Sequence, residues 1–91
     1  MKTRAHVIVS GKVQGVFFRQ NTRRQAQNRG VVGWVCNTTD GNVEAVFEGE
    51  EQAVNWLVDY CRHGPSFAKV ENIQVDYEPY KGEFTNFSIS H

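Results

Sequence analysis

Runs of hydrophobic residues that alternate with polar ones predict five short β-strands in this 91-residue chain. The strands are rich in β-branched and aromatic residues and are bounded by Gly, Pro, Asn or Asp. They cover residues 5–10, 33–37, 43–47 and 68–77, and a final short strand is marked by Phe84, Phe87 and Ile89. The fourth run loses its alternation near Asn72, which indicates a β-bulge there.

Asp40-Gly41 lies between the second and third strands and is among the strongest short signals for a hairpin turn. In the strand that follows, Val43, Ala45 and Phe47 alternate with Glu44, Val46 and Glu48. We therefore expect one face of this strand in the core and the opposite face largely in solvent.

Two helices are expected between the strands. Residues 50–63 are predicted to form a helix, because they carry acidic residues in the first turn and apolar residues spaced three or four apart. Gly64-Pro65 marks the end of this helix. Residues 19–29 contain no Gly or Pro and are closed by Gly30, so their helix is predicted by its boundaries more than by periodicity.

The element order is therefore β-α-β-β-α-β with a short C-terminal strand. This order defines the α+β, ferredoxin-like split β-α-β sandwich, an antiparallel sheet with two helices on one face. The length matches one domain covering residues 1–91.

The formal charge of zero hides a strong asymmetry along the chain. Residues 1–39 hold seven Lys and Arg and no Asp or Glu, whereas residues 40–91 hold three Lys and Arg against ten Asp and Glu, so the two parts carry +7 and −7. The basic part predicts a local positive field suited to a small anion.

Composition also excludes several classes of protein. No apolar run reaches the roughly 20 residues of a membrane helix or the core of a signal peptide, so we expect a cytoplasmic protein without a membrane partner. Cys36 and Cys61 are expected to be separate reduced thiols. His6, His63 and His91 lack metal-ligand spacing, so no metal site is expected.

The connection from Gly11 to Arg19 has the features of an anion-binding loop. Gly11 and Gly15 permit tight turns, the backbone from Gln14 to Phe18 can direct N–H groups inward, and the helix N-terminus follows. An arginine at a helix N-terminus opposes the helix dipole unless an anion is bound, and its guanidinium can grip two phosphate oxygens. On spacing alone, a β-turn loop with a solvated Arg19 is an equally good interpretation.

The fold brings a second side chain to this loop. The first two strands run parallel with the third between them, so their C-terminal ends open on the same edge of the sheet. Asn37 ends the second strand and is expected near Arg19, in a stretch without carboxylates. Without further information, Asn37 fits a turn-stabilising role equally well.

Residues 9–19, V-S-G-K-V-Q-G-V-F-F-R, resemble the acylphosphatase signature V-x-G-x-V-Q-G-V-x-F-R. Residues 33–44, G-W-V-C-N-T-T-D-G-N-V-E, resemble the second signature of that family, G-W-V-x-N-x-x-D-G-x-V-E. The resemblance extends over nearly the whole chain. One departure is Arg29, at a position where relatives usually carry an apolar residue.

The resemblance implies a small cytoplasmic hydrolase that cleaves the carboxyl–phosphate bond of acyl phosphates to carboxylate and orthophosphate, without metal or cofactor. It implies that Arg19 binds the phosphoryl oxygens and that Asn37 orients the attacking water. The substrate-binding loop would comprise Gln14, Gly15, Val16, Phe17 and Phe18, with Phe17 and Phe18 as core or loop anchors. The expected partner is a small-molecule acyl phosphate or another anion, and nothing in the chain requires more than a monomer.

Two other functions fit the same topology. Lys81-Gly82-Glu83-Phe84 faintly resembles the basic-glycine-aromatic strand of RNA-recognition modules, but it lies in the last strand and contains Glu83, so no nucleic-acid partner is expected. A non-catalytic anion-binding domain is the second alternative, and the presence of both Arg19 and Asn37 argues against it.

Overall fold

The protein was analysed as a computed structural model that describes residues 1–90. Its elements are β1 (Lys2–Lys12), α1 (Phe18–Asn28), β2 (Val32–Asn37), β3 (Val43–Glu50), α2 (Glu51–His63), β4 (Lys69–Glu78) and β5 (Phe87–Ile89). The predicted order of strands and helices is confirmed. The last strand is shorter than predicted, because Phe84 lies in the connection before it.

The strands form one sheet in the order β4-β1-β3-β2-β5. β3 is antiparallel to both β1 and β2, and β4 is antiparallel to β1, as the ferredoxin-like sandwich requires. β5 adds a parallel pairing at the outer edge of β2, so the sheet is mixed.

The irregularity predicted near Asn72 is a β-bulge between β1 and β4. Ser10 pairs with Asn72 and Gly11 pairs with Val70, which leaves Glu71 as the extra residue. Gly11 has a φ of 119°, and a Cβ atom there would lie 2.3 Å from the carbonyl oxygen of Lys69, so the close approach of the strands requires glycine. The bulge lies close to the end of β1, just before the loop that joins β1 to α1.

Both helices pack on one face of the sheet. Alternate residues of β1 and β3 are buried together with apolar residues of α1 and α2, in one core cluster. The thin apolar content of α1 is sufficient because its buried residues lie four apart and so share one face: Phe18, Thr22 and Ala26. Arg29 contributes to the contact between the helices, since its guanidinium lies 3.2 Å from the centroid of the Trp56 ring.

The opposite face of β3 is not solvated as predicted. Val46 and Glu48 are 2% and 0% exposed. The chain must cross from β4 at one edge of the sheet to β5 at the other, and residues 79–86 pass over this face, where the N–H of Lys81 donates to Glu48 Oε2 at 2.9 Å. The nearly buried Arg4 donates to Glu48 at 3.2 Å and to Glu83 in the crossing segment at 2.6 Å.

We expect the Glu48 carboxylate to make the free energy of unfolding depend on pH in the acid range. Burial raises the pKa of Glu48, but the N–H of Lys81 and the charge of Arg4 more than offset it, so the pKa lies below the ordinary 4.5. The stabilisation is therefore complete above pH 4.5 and is lost as the pH falls through the lower folded-state pKa. Glu48→Gln should lower the free energy of unfolding by about 3 kcal/mol at neutral pH.

Urea denaturation at a series of pH values measures this effect. Below pH 4.5 the wild type should lose stability more steeply than Glu48→Gln. Glu50→Gln is the matched control, because Glu50 is exposed and should change stability by less than about 0.5 kcal/mol. Parallel curves for wild type and Glu48→Gln would show that the ion pair does not hold the crossing segment.

Two further expectations concern cysteines and membranes. Cys36 and Cys61 are free thiols, as predicted. None of the helices described for residues 1–90 is long and apolar enough to cross a membrane.

Candidate active site

The loop between β1 and α1 has a backbone shaped to hold an anion. Gly15 and Phe17 have positive φ values of 72° and 63°, while Val16 between them and the helical Phe18 do not. Alternation of the sign of φ along successive residues turns their N–H groups toward a common point, which is the geometry of an anion-binding nest. Phe17 is the one non-glycine residue with positive φ in residues 1–90, and this conformation costs of order 1 kcal/mol or more.

The N–H groups of this loop are free. Within residues 1–90, no backbone carbonyl accepts a hydrogen bond from the N–H groups of residues 15–20. α1 begins at Phe18 without a side-chain cap and without an acidic residue in its first turn. The positive end of the helix dipole and its free donors therefore face the same region as the loop.

Arg19 lies in the first turn of α1 and is half-buried. In the described part of the chain, no carboxylate forms an ion pair with it. Arg19 also lines a concavity of about 180 Å³ together with residues of the loop and of the first turn of α1: Val13, Gly15, Phe17, Phe18 and Gln20. At roughly 30 Å³ per water, this space holds about six waters and accommodates a phosphoryl group.

Asn37 is the last residue of β2, and its side chain is exposed. Val43 of β3 pairs with Val9 of β1 on one side and with Asn37 on the other. Two strand spacings separate these neighbours, so Asn37 lies about 10 Å from Val9, three residues before β1 ends at Lys12. The predicted convergence of the two strand ends on one edge of the sheet is confirmed.

The charge of Arg19 reaches the end of β2. Burial raises the pKa of the Cys36 thiol and the charge of Glu44 adds to the effect, whereas Arg19 acts in the opposite direction. Arg19 is therefore close enough to the residue before Asn37 to influence its titration. Glu44 lies directly opposite Cys36 in the strand register, so the neighbourhood of Asn37 contains a carboxylate that its position in the sequence does not reveal.

Gln14 connects the loop to the β2–β3 hairpin. Its side-chain amide donates to the carbonyl oxygens of Thr38 at 2.9 Å and Asn42 at 2.8 Å. The hairpin itself is closed by hydrogen bonds between Thr38 and Asn42, and the Thr38 hydroxyl donates to Asp40. Sequence reasoning assigned only the backbone of Gln14 to the site and missed this bridge, which ties the loop before Arg19 to the residues that follow Asn37.

We expect Gln14→Leu to slow turnover of an acyl phosphate without weakening the binding of orthophosphate. The substitution keeps the size of the side chain but removes both hydrogen bonds, which should cost about 1–2 kcal/mol of stability. Because Asn37 is then less well placed relative to the loop, kcat for an acyl phosphate should fall about tenfold, while competitive inhibition by orthophosphate stays within twofold. Gln52→Leu, at an exposed position of α2 outside the site, is the control and should change neither quantity. Unchanged kcat in Gln14→Leu would show that the bridge does not position the site.

Of the two loop phenylalanines, only Phe17 differs from its predicted role. Phe18 is buried in the core as expected, but Phe17 is 60% exposed and anchors nothing there. The left-handed conformation of Phe17 turns its side chain away from the core.

Within residues 1–90, no group of three or more His, Cys, Asp or Glu is placed to hold a metal ion.

Five strands, two helices on one face and a loop of free N–H donors beside an arginine define a ferredoxin-like α+β domain with one candidate site at a sheet edge. The family model for acylphosphatase matches residues 5–89. The chain therefore belongs to the acylphosphatase family.

Individual acylphosphatases match this chain over all or nearly all of their length. The acylphosphatase of Pelotomaculum thermopropionicum is 55% identical over 89 residues, which cover 98% of this chain and 97% of the relative. That of Geobacter sulfurreducens is 50% identical over 91 residues and all of both chains. The crystal structure of acylphosphatase from Bacillus subtilis superposes with a TM-score of 0.93 at 37% identity, again over all of both chains.

Proposed function

We propose that this protein is a metal-independent acylphosphatase, which hydrolyses the carboxyl–phosphate bond of acyl phosphates to carboxylate and orthophosphate. Residues 1–91 act as one cytoplasmic, monomeric domain that needs no cofactor and binds neither nucleic acid nor membrane. The observation that carries this proposal is the loop of free N–H groups that ends at Arg19, whose charge is matched by no carboxylate within residues 1–90.

The phosphoryl group binds in this loop. The backbone N–H groups of the segment from Gln14 to Phe18 surround its oxygens, and the guanidinium of Arg19 holds two of them. Phosphoryl transfer has a loose transition state with charge spread over three equatorial oxygens. Fixed N–H dipoles and a guanidinium meet that charge without reorganising, so they stabilise the transition state.

The leaving group explains why so few catalytic groups suffice. An acyl phosphate is an activated mixed anhydride, and its leaving group is a resonance-stabilised carboxylate. The water oxygen forms a bond to phosphorus, while the bond from phosphorus to the acyl oxygen breaks and its electron pair leaves with the carboxylate. Both protons of the water end on the phosphate, which gives a dihydrogen phosphate and a carboxylate from a dianionic substrate. Positioning and charge stabilisation are the main requirements of such a step.

Asn37 orients the water. Its amide can donate and accept hydrogen bonds but is not a base, which suits the placement of a nucleophile that needs no strong activation. Its location at the end of β2, on the sheet edge where the loop begins, supports this role.

Hydrolysis of benzoyl phosphate, followed by its absorbance change in the presence of a chelator, tests the proposal. Turnover by the wild type is the expected result. If the wild type binds orthophosphate but shows no turnover, the chain is a non-catalytic anion-binding domain. A requirement for added divalent metal would contradict the metal-independent reaction.

A further inference from the structure

An aromatic concavity adjoins the proposed phosphoryl site. It measures about 410 Å³, and its lining includes Val16, Phe17, Tyr60, Pro65 and Phe67. Val16 and Phe17 belong to the loop of free N–H groups, and Phe17 also lines the concavity beside Arg19, so the two spaces are neighbours. Such a space can receive a group that is covalently attached to a phosphoryl group in the loop.

Two phenylalanine rings line this concavity while remaining in solvent. Phe17 is 60% exposed and Phe67 is 70% exposed, and neither belongs to the hydrophobic core. The half-buried Tyr60 of α2 and Pro65 also line it. Large apolar side chains that share one exposed concavity are typical of ligand-binding sites.

The concavity lies on the side of the loop that faces away from Asn37. β1, which leads into the loop, has β4 on one side and β3 and β2 on the other. β4 begins at Lys69, opposite Lys12, so residues 64–68 flank the loop on the β4 side. Asn37 and the hairpin that follows flank it on the β2 side.

The attacking and leaving oxygens of a phosphoryl transfer lie roughly in line on opposite sides of phosphorus. A water held by Asn37 approaches from the β2 side, so the acyl oxygen leaves toward the β4 side. The acyl group then projects toward Phe17 and Phe67. Burial of an aromatic acyl group between these rings would remove apolar surface from water.

We propose that the concavity between Phe17 and Phe67 binds the acyl group, and that the enzyme prefers acyl phosphates with an aromatic or bulky apolar acyl group. This inference rests on the proposed function. A second concavity, of about 480 Å³, also borders Phe17 but is lined by Arg23 and Arg24 of α1, and would favour an anionic acyl group. The aromatic concavity is the better candidate because it lies between two exposed rings on the leaving-group side.

The test compares kcat/KM for benzoyl phosphate and acetyl phosphate in the wild type and in Phe67→Ala. Phe67 lies outside the loop that binds the phosphoryl group, so acetyl phosphate hydrolysis and inhibition by orthophosphate should stay within twofold. For benzoyl phosphate, kcat/KM should fall about tenfold. Phe67→Leu should recover part of the loss, and Tyr77→Ala is the matched control, since Tyr77 is a 55% exposed aromatic residue of β4.

Failure of this inference and failure of the proposed function give different results. If the wild type hydrolyses both substrates but Phe67→Ala affects both equally or neither, the acyl group does not bind at Phe67. If succinyl phosphate is the preferred substrate and Arg24→Ala abolishes that preference, the basic concavity is the acyl site. If the wild type hydrolyses no acyl phosphate, the proposed function itself is wrong.

Discussion

Arg19→Ala should lower kcat/KM for an acyl phosphate by about 10³–10⁵-fold, a loss of about 4–7 kcal/mol of transition-state stabilisation. In the proposed mechanism, Arg19 is the one side chain that brings a full positive charge to the transferring phosphoryl group. Its removal leaves the N–H groups of the loop to meet that charge alone. Steady-state hydrolysis of benzoyl phosphate measures the effect.

Two controls separate the loss of Arg19 from unfolding and from a general change in charge. Arg23→Ala removes an equal charge from an exposed position one turn further along α1 and should lower kcat/KM by less than about threefold. Arg19→Lys keeps the charge but loses the planar fork, so it should recover only part of the activity. Urea unfolding of Arg19→Ala should match the wild type, since Arg19 forms no ion pair with another group in residues 1–90. Near wild-type turnover in a folded Arg19→Ala would contradict the proposed role.

Asn37→Ala should reduce kcat by about 10²–10³-fold with little change in KM, by analogy with the removal of one preorganised hydrogen-bonding group. The side chain is expected to hold the water and not the phosphoryl group. For the same reason, the inhibition constant of orthophosphate as a competitive inhibitor should remain within about threefold of the wild-type value. Kinetics at saturating and limiting substrate distinguish the two constants.

Thr39→Ala is the matched control for Asn37→Ala. Thr39 is an exposed residue of the same hairpin and should leave kcat within about twofold. If Asn37→Ala weakened orthophosphate binding as strongly as it slowed turnover, Asn37 would contact the phosphoryl group and the assignment of water orientation would be wrong.

The fold could be predicted because its signals are local. Alternation in β1 and β3, the Asp40-Gly41 turn, and the apolar stripe of α2 with Gly64-Pro65 after it each depend on neighbouring residues alone. The solvated face predicted for β3 was wrong because Glu48 is covered by residues 79–86, which cross the sheet from one edge to the other. Alternation in a strand shows which residues share a face but does not show what covers that face.

The site could be predicted in part. The loop glycines and the approach of the first two strand ends follow from the sequence pattern and from the order of the strands, whereas the roles of Arg19 and Asn37 are proposals that rest on the family resemblance. The bridge from Gln14 to the hairpin and the concavity between Phe17 and Phe67 could not be predicted, because each depends on where a distant loop packs. The same reason explains Glu44, which is seven positions from Asn37 in the sequence but directly opposite Cys36 in the sheet.

Hydrolysis in water labelled with ¹⁸O tests the central claim most directly. Acetyl phosphate is hydrolysed by the wild-type enzyme in the presence of a chelator, and the position of the label is read by mass spectrometry of both products. Attack of an Asn37-oriented water on phosphorus predicts the label in orthophosphate and none in acetate. Label in acetate would show attack on the carbonyl carbon and would contradict phosphoryl transfer in this loop.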